Sequence, residues 1–187
     1  MEIVVSIGLL IAVLAWVLSV YNRLFHLRNE VRGAWKQWVL ATRSRNEQLD
    51  DFADSFARAL PQDSSAPERL RRLILDSEQM LKKMESSYGG TDAENAVSSA
   101  EWQLQRVLHE SLDEVEQTPQ MQEHLRLQQL CGLLSMALYQ QEHRSRLFNR
   151  AVQEYNAALV SPGGRTLASV FGFRPFGILE PPPQTRA

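Results

Sequence analysis

The sequence predicts an all-α protein in which a single N-terminal transmembrane helix is followed by an antiparallel helical bundle of about four helices with coiled-coil-like packing. Three observations predict this class: an uncharged apolar N-terminal run, no useful period-two alternation after it, and breaker residues grouped between helix-length stretches. The chain has 187 residues and a formal net charge of −2. Because it has no excess of positive charge to displace phosphate counterions, we expect no nucleic acid partner.

The first element is an apolar run at residues 3–20, IVVSIGLLIAVLAWVLSV, which contains no charged side chain. As a helix it is about 27 Å long, close to the roughly 30 Å hydrocarbon thickness of a bilayer. A cleavable signal peptide has a basic region before the run and a small-residue cleavage site after it. Here the only preceding charge is Glu2, and Tyr21 and Asn22 follow. We therefore expect residues 1–20 to be an uncleaved anchor that contacts the lipid bilayer through residues 3–20.

The charges that flank this run predict its orientation. Arg23, Arg28 and Arg32 follow it, opposed only by Glu30, and no lysine or arginine precedes it. Because positive charge stays on the cytoplasmic side, we expect the N-terminus outside and the C-terminal body in the cytoplasm. The single cysteine, Cys131, excludes an intramolecular disulfide and fits a reducing compartment.

Breaker clusters at residues 61–67, 89–90, 118–119 and 161–164 divide the following chain. They predict a helical domain over residues 21–160, with helices at about 21–60, 67–88, 92–117 and 119–160. The fourth helix repeats in steps of four and three, at Leu127, Cys131, Leu134, Leu138, Gln141, Ser145, Phe148, Val152, Tyr155 and Leu159. The first helix has the same spacing from Val31 to Ala59, so both helices are expected to form coiled-coil-like seams. The polar seam residues Arg45, Gln141 and Ser145 indicate register control or, alternatively, a binding pocket.

Short turns make neighbouring helices antiparallel, and the second and third helices are the shorter pair. They are therefore expected to cover only the distal halves of the first and fourth helices, leaving the membrane-proximal halves, here called the stem. Residues 161–187 form a separate C-terminal segment that carries large apolar side chains and ends in the polar sequence EPPPQTRA. The apolar part can pack on the stem or enter the headgroup layer, and the sequence leaves both open.

Four asparagines on the stem share a spacing of seven residues. Asn22 and Asn29 lie on the first helix, and Asn149 and Asn156 lie on the fourth. The antiparallel register inferred from the turn positions brings Asn22 level with Asn156 and Asn29 level with Asn149. We expect a structural polar cluster in which these amides hydrogen-bond one another and fix the register. A ligand site is the alternative.

Two blocks of residues resemble the LemA family of bacterial single-span membrane proteins. The first reads YNRL at residues 21–24 and LRNEV at 27–31, followed by Ala34, Trp35 and Arg45. The second contains Phe148-Asn149, Tyr155-Asn156, Pro162 and the sequence FGF at 171–173. The resemblance implies a single-pass protein of the bacterial cytoplasmic (inner) membrane, with the N-terminus outside, a cytoplasmic helical bundle and no established catalytic activity.

The motifs of common enzymes are absent from the sequence. None of the four histidines follows a glutamate by three positions, as a di-iron helical bundle requires. There is no P-loop, dinucleotide fingerprint or nucleophile elbow. We therefore expect no catalytic residue, no metal and no cofactor.

Two classes of function follow from these observations. The resemblance implies a non-enzymatic membrane-anchored scaffold or adaptor that contacts protein partners, or a second copy of itself, through the stem. The alternative is a membrane-bound enzyme or sensor component that uses the membrane-proximal polar cluster of asparagines.

Overall fold

The computed structural model describes residues 1–59, 65–86, 91–118, 121 and 124–179. Within these ranges every regular element is a helix, so the predicted all-α class is confirmed for this part of the chain. The helices are α1 (Glu2–Ala59), α2 (Ala66–Ser86), α3 (Thr91–Gln117), α4 (Leu125–Val160) and α5 (Pro162–Phe171).

The longest element is α1, which joins the apolar run and the first helix of the body without a break. No proline occurs before residue 61, and a single glycine such as Gly33 costs a helix only about 1 kcal/mol. At 58 residues the helix is about 87 Å long. Of the described helices, α1 is the one that is long and apolar enough to cross a membrane. Its apolar segment, residues 3–20, exposes most of its large side chains, in contrast to the seam that follows.

Helix α4 runs antiparallel to α1. The rings of Trp35 and Phe148 contact each other at 5.6 Å between centroids, and further along α1 Arg45 shares a hydrogen-bond partner with Gln141. The Trp35–Phe148 contact lies within about one helical turn of the register inferred from the turns.

Helix α4 begins at Leu125, inside the predicted range of about 119–160, and Met121 before it is also helical. His124 has extended dihedral angles, with φ −81° and ψ 90°. The amides of Met121 and His124 donate to the carbonyls three residues before them, at Thr118 and Met121. Residues 119, 120, 122 and 123 of the predicted helix lie outside the described residues.

The core consists of two clusters along the length of the body. The distal cluster joins α1, α2, α3 and α4 and contains Phe52 and Leu134, both fully buried. The other cluster lies nearer the apolar segment, where α2 and α3 reach the level of Trp35 through the ends of their seams, at Leu81, Met84 and Val97.

The breaker cluster at residues 161–164 turns the chain and also starts a further helix, α5, which the sequence interpretation did not predict. Ser161 caps this helix, since its Oγ accepts a hydrogen bond from the Gly164 amide at 3.2 Å, and Pro162 occupies the first turn. The helix ends at Gly172, whose φ of 68° is in the left-handed region that favours glycine.

The chain after α5 is extended and returns along α1 and α4. This C-terminal stretch, residues 173–179, buries Phe173, Phe176 and Leu179 against a cluster that includes Leu24 and Tyr155. Of the two alternatives that the sequence left open, this part of the segment packs on the helices. Residues 173–179 therefore cover the part of the stem that lies between the ends of α2 and α3 and the apolar segment.

Candidate functional site

A layer of polar side chains crosses the core where the two apolar clusters meet. Its members are Arg45 and Asn46 on α1, Ser77 on α2, Glu101 on α3 and Gln141 on α4, and all are buried. On each of the four helices one of these polar residues falls at a step of three or four from buried apolar neighbours, and so on the buried face. The polar layer therefore results from four separate interruptions that the packing brings to one level.

The centre of the polar layer is the ion pair between Arg45 and Glu101. Arg45 Nη2 donates to Glu101 Oε1 at 3.0 Å, and Nη1 donates to Oε2, so the pairing is bidentate. The carboxylate also accepts from Ser77 Oγ at 2.7 Å and from Gln141 Nε2 at 2.9 Å. Four donors from three helices thus converge on one carboxylate.

Asn46 completes the surroundings of the guanidinium. Its Oδ1 accepts from Arg45 Nε at 3.2 Å and from Nη2 at 2.7 Å. Its Nδ2 donates to Ser77 Oγ at 3.3 Å and to Glu78 Oε1 at 2.8 Å. The buried arginine is therefore satisfied by oxygens from α1 and α3, and Asn46 links it to α2.

The environment of Glu101 keeps its carboxyl group ionised. Burial on its own raises the pKa of Glu101. The positive charge of Arg45, together with hydrogen bonds from Arg45, Ser77 and Gln141, outweighs burial and holds the pKa below its ordinary value. Because its oxygens are occupied by donors, this carboxylate is unsuited to accept a proton from a substrate.

The sequence interpretation identified part of this layer. Arg45 and Gln141 were singled out as polar seam residues, and both are buried in the layer. Ser145, the third such residue, is half-buried and lines the cleft described below. Glu101 was not identified from the sequence, although it lies between Val97 and Leu104 on the buried face of α3.

Beside the polar layer lies a cleft between α3 and α4. Helix α1 packs on α2 and α4, and α2 packs on α3, but over the described residues α3 and α4 make little direct contact. The resulting cleft has a volume of about 740 Å³. Glu101 and Gln141 line it from the polar layer, Trp38 lines it from α1, and Asn149 and Leu179 line it toward the stem.

The walls of the cleft combine aromatic and polar groups. Trp102 of α3 and Tyr139 of α4 line it, and Arg106 lies over the Trp102 ring at 5.7 Å. His109 and Arg146 add further polar groups. Across the described residues no group of three His, Cys, Asp or Glu side chains is placed to hold a metal ion. The cleft has the mixed lining typical of a surface that contacts another polypeptide.

The four predicted asparagines do not form one cluster. Asn149 Nδ2 donates to the carbonyl of Leu179 at 2.8 Å, and its Oδ1 accepts from the Leu179 amide at 2.8 Å. Asn156 makes the same pair of bonds with Phe176, at 2.8 and 3.1 Å. Asn22 and Asn29 are exposed. The predicted amide-to-amide pairing is wrong, because the backbone of residues 173–179 is the partner of both α4 asparagines.

Two repeat lengths explain this arrangement. Seven residues of helix advance by about 10.5 Å, and three residues of extended chain advance by about 10 Å. Asn149 and Asn156 therefore meet backbone groups three residues apart, and each side-chain amide offers a donor and an acceptor to a backbone N–H and C=O. Tyr155 adds a bond from its hydroxyl to the Arg174 carbonyl at 3.1 Å, and burial raises the pKa of this phenol.

No protein-family model matches this chain, and no curated protein matches it. What the arrangement can do is therefore argued from its own residues. The polar layer joins four helices through a carboxylate whose oxygens are occupied by donors, and aromatic and polar side chains line the cleft.

Proposed function

We propose that this protein is a non-enzymatic, membrane-anchored scaffold or adaptor of the LemA type. The apolar segment of α1 crosses the bacterial cytoplasmic membrane with its N-terminus outside, and the remaining helices form an antiparallel bundle in the cytoplasm. One observation carries the proposal: α1 continues unbroken from an exposed apolar segment into a buried seam. A single helix therefore joins the anchor to the body.

The charge distribution supports the orientation. Arg23, Arg28 and Arg32 directly follow the apolar segment. Short loops with an excess of arginine and lysine remain on the cytoplasmic side of bacterial membranes.

Contacts between the two residue blocks support the resemblance to the LemA family. Tyr21 of the first block contacts Phe171 of the second at 5.0 Å between ring centroids. Trp35 contacts Phe148 in the same way at 5.6 Å. The residues that carry the resemblance are thus neighbours in space as well as matches in order.

Two features support a binding role over catalysis. In the part of the chain that the structure describes, the buried ion pair of Arg45 with Glu101 is occupied by hydrogen bonds that hold helices together. The amides of Asn149 and Asn156, which an enzyme or sensor at the stem would use, bond the chain's own C-terminal stretch. The cleft between α3 and α4 reaches from the polar layer to the stem, and we place the partner surface there.

The test is site-specific photocrosslinking of the full-length protein in bacterial membranes. Tyr139→benzoylphenylalanine places the probe on the cleft wall, and Leu75→benzoylphenylalanine is the matched control on α2, since both native side chains are similarly exposed and Leu75 lies outside the cleft. We expect a discrete adduct from position 139 that is absent from position 75 and is lost when Trp102→Ala is added.

Reciprocal purification of the adduct partner must recover this protein, and an adduct of twice the chain mass would identify a second copy. The same adducts from positions 75 and 139, or none from position 139, would contradict the assignment of the cleft.

A further inference from the structure

Helix α5 contacts α1 at the end of the apolar segment. A Cβ atom added to Gly163 would lie 2.9 Å from Trp16 Cζ2 and 3.2 Å from Val20 Cγ2. At the other end of α5, the Phe171 ring contacts Tyr21 at 5.0 Å between centroids. Helix α5 therefore lies across the last turns of the apolar segment, at the level where that segment meets the body.

The spacing of these contacts indicates that α5 is inclined to α1. Gly163 and Phe171 are about 12 Å apart along α5, whereas their partners Trp16 and Tyr21 are separated along α1 by only about 7.5 Å. A helix parallel to α1 would contact it over its whole length. With α1 across the bilayer, α5 is directed toward the plane of the membrane surface.

The outer side of α5 exposes Arg165, Thr166 and Ser169, and its last two residues expose large apolar side chains. Gly163, Gly164 and Leu167 are buried, whereas Val170 is 69% exposed and Phe171 is 53% exposed. Further exposed apolar side chains of the same region are Phe25 on α1 and Val160 at the end of α4. Together with the apolar segment they contribute to an exposed apolar surface larger than water-facing surfaces usually carry.

Positive charge surrounds this apolar surface. Residues 3–29 and 155–179 contain Arg23, Arg28, Arg165 and Arg174 and no aspartate or glutamate. Arg28 lies over the Phe173 ring at 5.8 Å, and the other three arginines are exposed. Basic side chains near a bilayer surface are attracted to anionic headgroups.

We propose that residues 21–28 and 160–174, here called the collar, form a second bilayer-binding surface. In the collar α5 lies in the interfacial layer with Val170 and Phe171 among the acyl chains, and the arginines bind the phosphates of anionic phospholipids. This inference rests on the proposed function, because it requires the apolar segment of α1 to cross the membrane.

The depth of α5 is tested with single-cysteine variants of the full-length protein in a Cys131→Ser background, labelled with an environment-sensitive fluorophore in phosphatidylcholine–phosphatidylglycerol vesicles. Val170→Cys reports on the collar, Leu18→Cys on the apolar segment, and Leu75→Cys on the distant surface of α2. We expect blue-shifted emission and quenching by nitroxide lipids at positions 170 and 18, and neither at position 75.

Two failures are distinguishable. Quenching at position 18 without quenching at position 170 would overturn the collar and leave the anchor intact. Absence of quenching at position 18 would overturn the membrane anchor on which the collar depends.

The headgroup assignment is tested by extracting the lipids that remain with the purified full-length protein. Arg165→Gln/Arg174→Gln is expected to lower the retained ratio of phosphatidylglycerol to phosphatidylcholine several-fold. Arg72→Gln/Arg126→Gln, which removes two exposed arginines outside the collar, is the matched control and should leave the ratio unchanged. Equal ratios in the two double variants would overturn the assignment.

Discussion

Arg45 shows what a charged residue requires in an apolar seam. Its guanidinium is fully buried, and its cost of desolvation is offset by the Glu101 carboxylate and the Asn46 amide oxygen. Removing one partner of a buried ion pair typically costs about 3–5 kcal/mol, whereas replacing both with apolar side chains is often neutral. The polar layer is thus better suited to fixing which helices pair than to adding stability.

We expect Glu101→Leu alone to lower the free energy of unfolding by about 3–5 kcal/mol, because it leaves Arg45 buried without its counter-ion. The double variant Arg45→Met/Glu101→Leu should recover most of that loss. Urea unfolding of the full-length protein in detergent micelles measures both. The exposed pair Arg150–Glu154 provides the control, and its double alanine variant should change stability by less than about 1 kcal/mol. Simple additivity of the two core substitutions would contradict the pairing.

The lowered pKa of Glu101 predicts acid sensitivity. A carboxyl group whose pKa is lower in the folded state adds stability above its unfolded pKa of about 4.3 and loses it as pH falls through the folded value. We expect the urea midpoint to fall as pH is lowered below about 4, and Glu101→Gln to be less stable at neutral pH but less sensitive to acid. An unchanged pH dependence in Glu101→Gln would show that other carboxylates cause the acid response.

The side chains of Asn149 and Asn156 are predicted to hold residues 173–179 in place. Asn149→Ala or Asn156→Ala removes two hydrogen bonds, at about 1 kcal/mol each, and should accelerate amide hydrogen exchange at Leu179 or Phe176 respectively. Asn22→Ala is the matched control, since Asn22 is exposed, and it should leave both amides protected. Equal acceleration by the control would favour the amide cluster that the sequence suggested.

The polar residues were predictable only in part. The sequence pattern of a single helix is enough to show an arginine or glutamine at a seam position, which is why Arg45 and Gln141 were identified. Identifying their common partner, Glu101, requires knowing which face of α3 is buried. Small and apolar residues on neighbouring faces of α3 make that face ambiguous in the sequence. The partners of Asn149 and Asn156 lie in a non-helical stretch, where three residues span the same distance as seven residues of helix. The pattern of one helix alone does not reveal such a match.

Among the helices, α5 begins at a sequence signal that indicates both a chain break and a helix start. The sequence SPGG at residues 161–164 was interpreted as a breaker, and the chain does change direction there. The same serine and proline also start a helix as its cap and first-turn residue. By contrast, the continuity of α1 was predictable, because no proline lies between the apolar segment and residue 61.

Gly164 is required by the junction between α4 and α5. A Cβ atom there would lie 2.0 Å from the backbone oxygen of Ala158, which cannot move without distorting α4. We expect Gly164→Ala to destabilise the junction by about 1–3 kcal/mol, measured by thermal unfolding. Gly132→Ala is the control, because a Cβ on that glycine meets nothing within 4 Å and should stabilise α4 by up to about 1 kcal/mol. A Gly164→Ala protein as stable as the control would contradict the close approach.

At the scale of the whole molecule, seam patterns indicate which faces are buried and leave the separation of neighbouring helices undetermined. The cleft between α3 and α4 is the result: both helices have buried stripes, yet these stripes pack mainly toward α2 and α1 rather than on each other. The covering of the stem by residues 173–179 was one of two alternatives, since apolar residues beside a membrane suit either the helices or the lipid.

The proposed topology has a direct test. A reporter fused after Ala187 should be active when the reporter requires the cytoplasm and inactive when it requires the periplasm, because the arginines that follow the apolar segment oppose its translocation. The variant Arg23→Glu/Arg28→Glu/Arg32→Glu is expected to reduce this preference. Activity of the periplasmic reporter on the unmodified chain would reverse the orientation.

The unbroken course of α1 also fixes heights above the membrane. With residues 3–20 in the bilayer, Trp38 lies about 27 Å and Arg45 about 38 Å beyond the hydrocarbon edge, measured along the helix. The cleft extends to Asn149, next to the Phe148 that contacts Trp35, about 22 Å beyond that edge and clear of the headgroup layer. A partner that lies flat on the lipid surface is too low to enter it, so an occupant is either free in solution or carried on a spacer of comparable length. In the proposed topology, the length of one helix would thus select partners by how far they reach from the membrane.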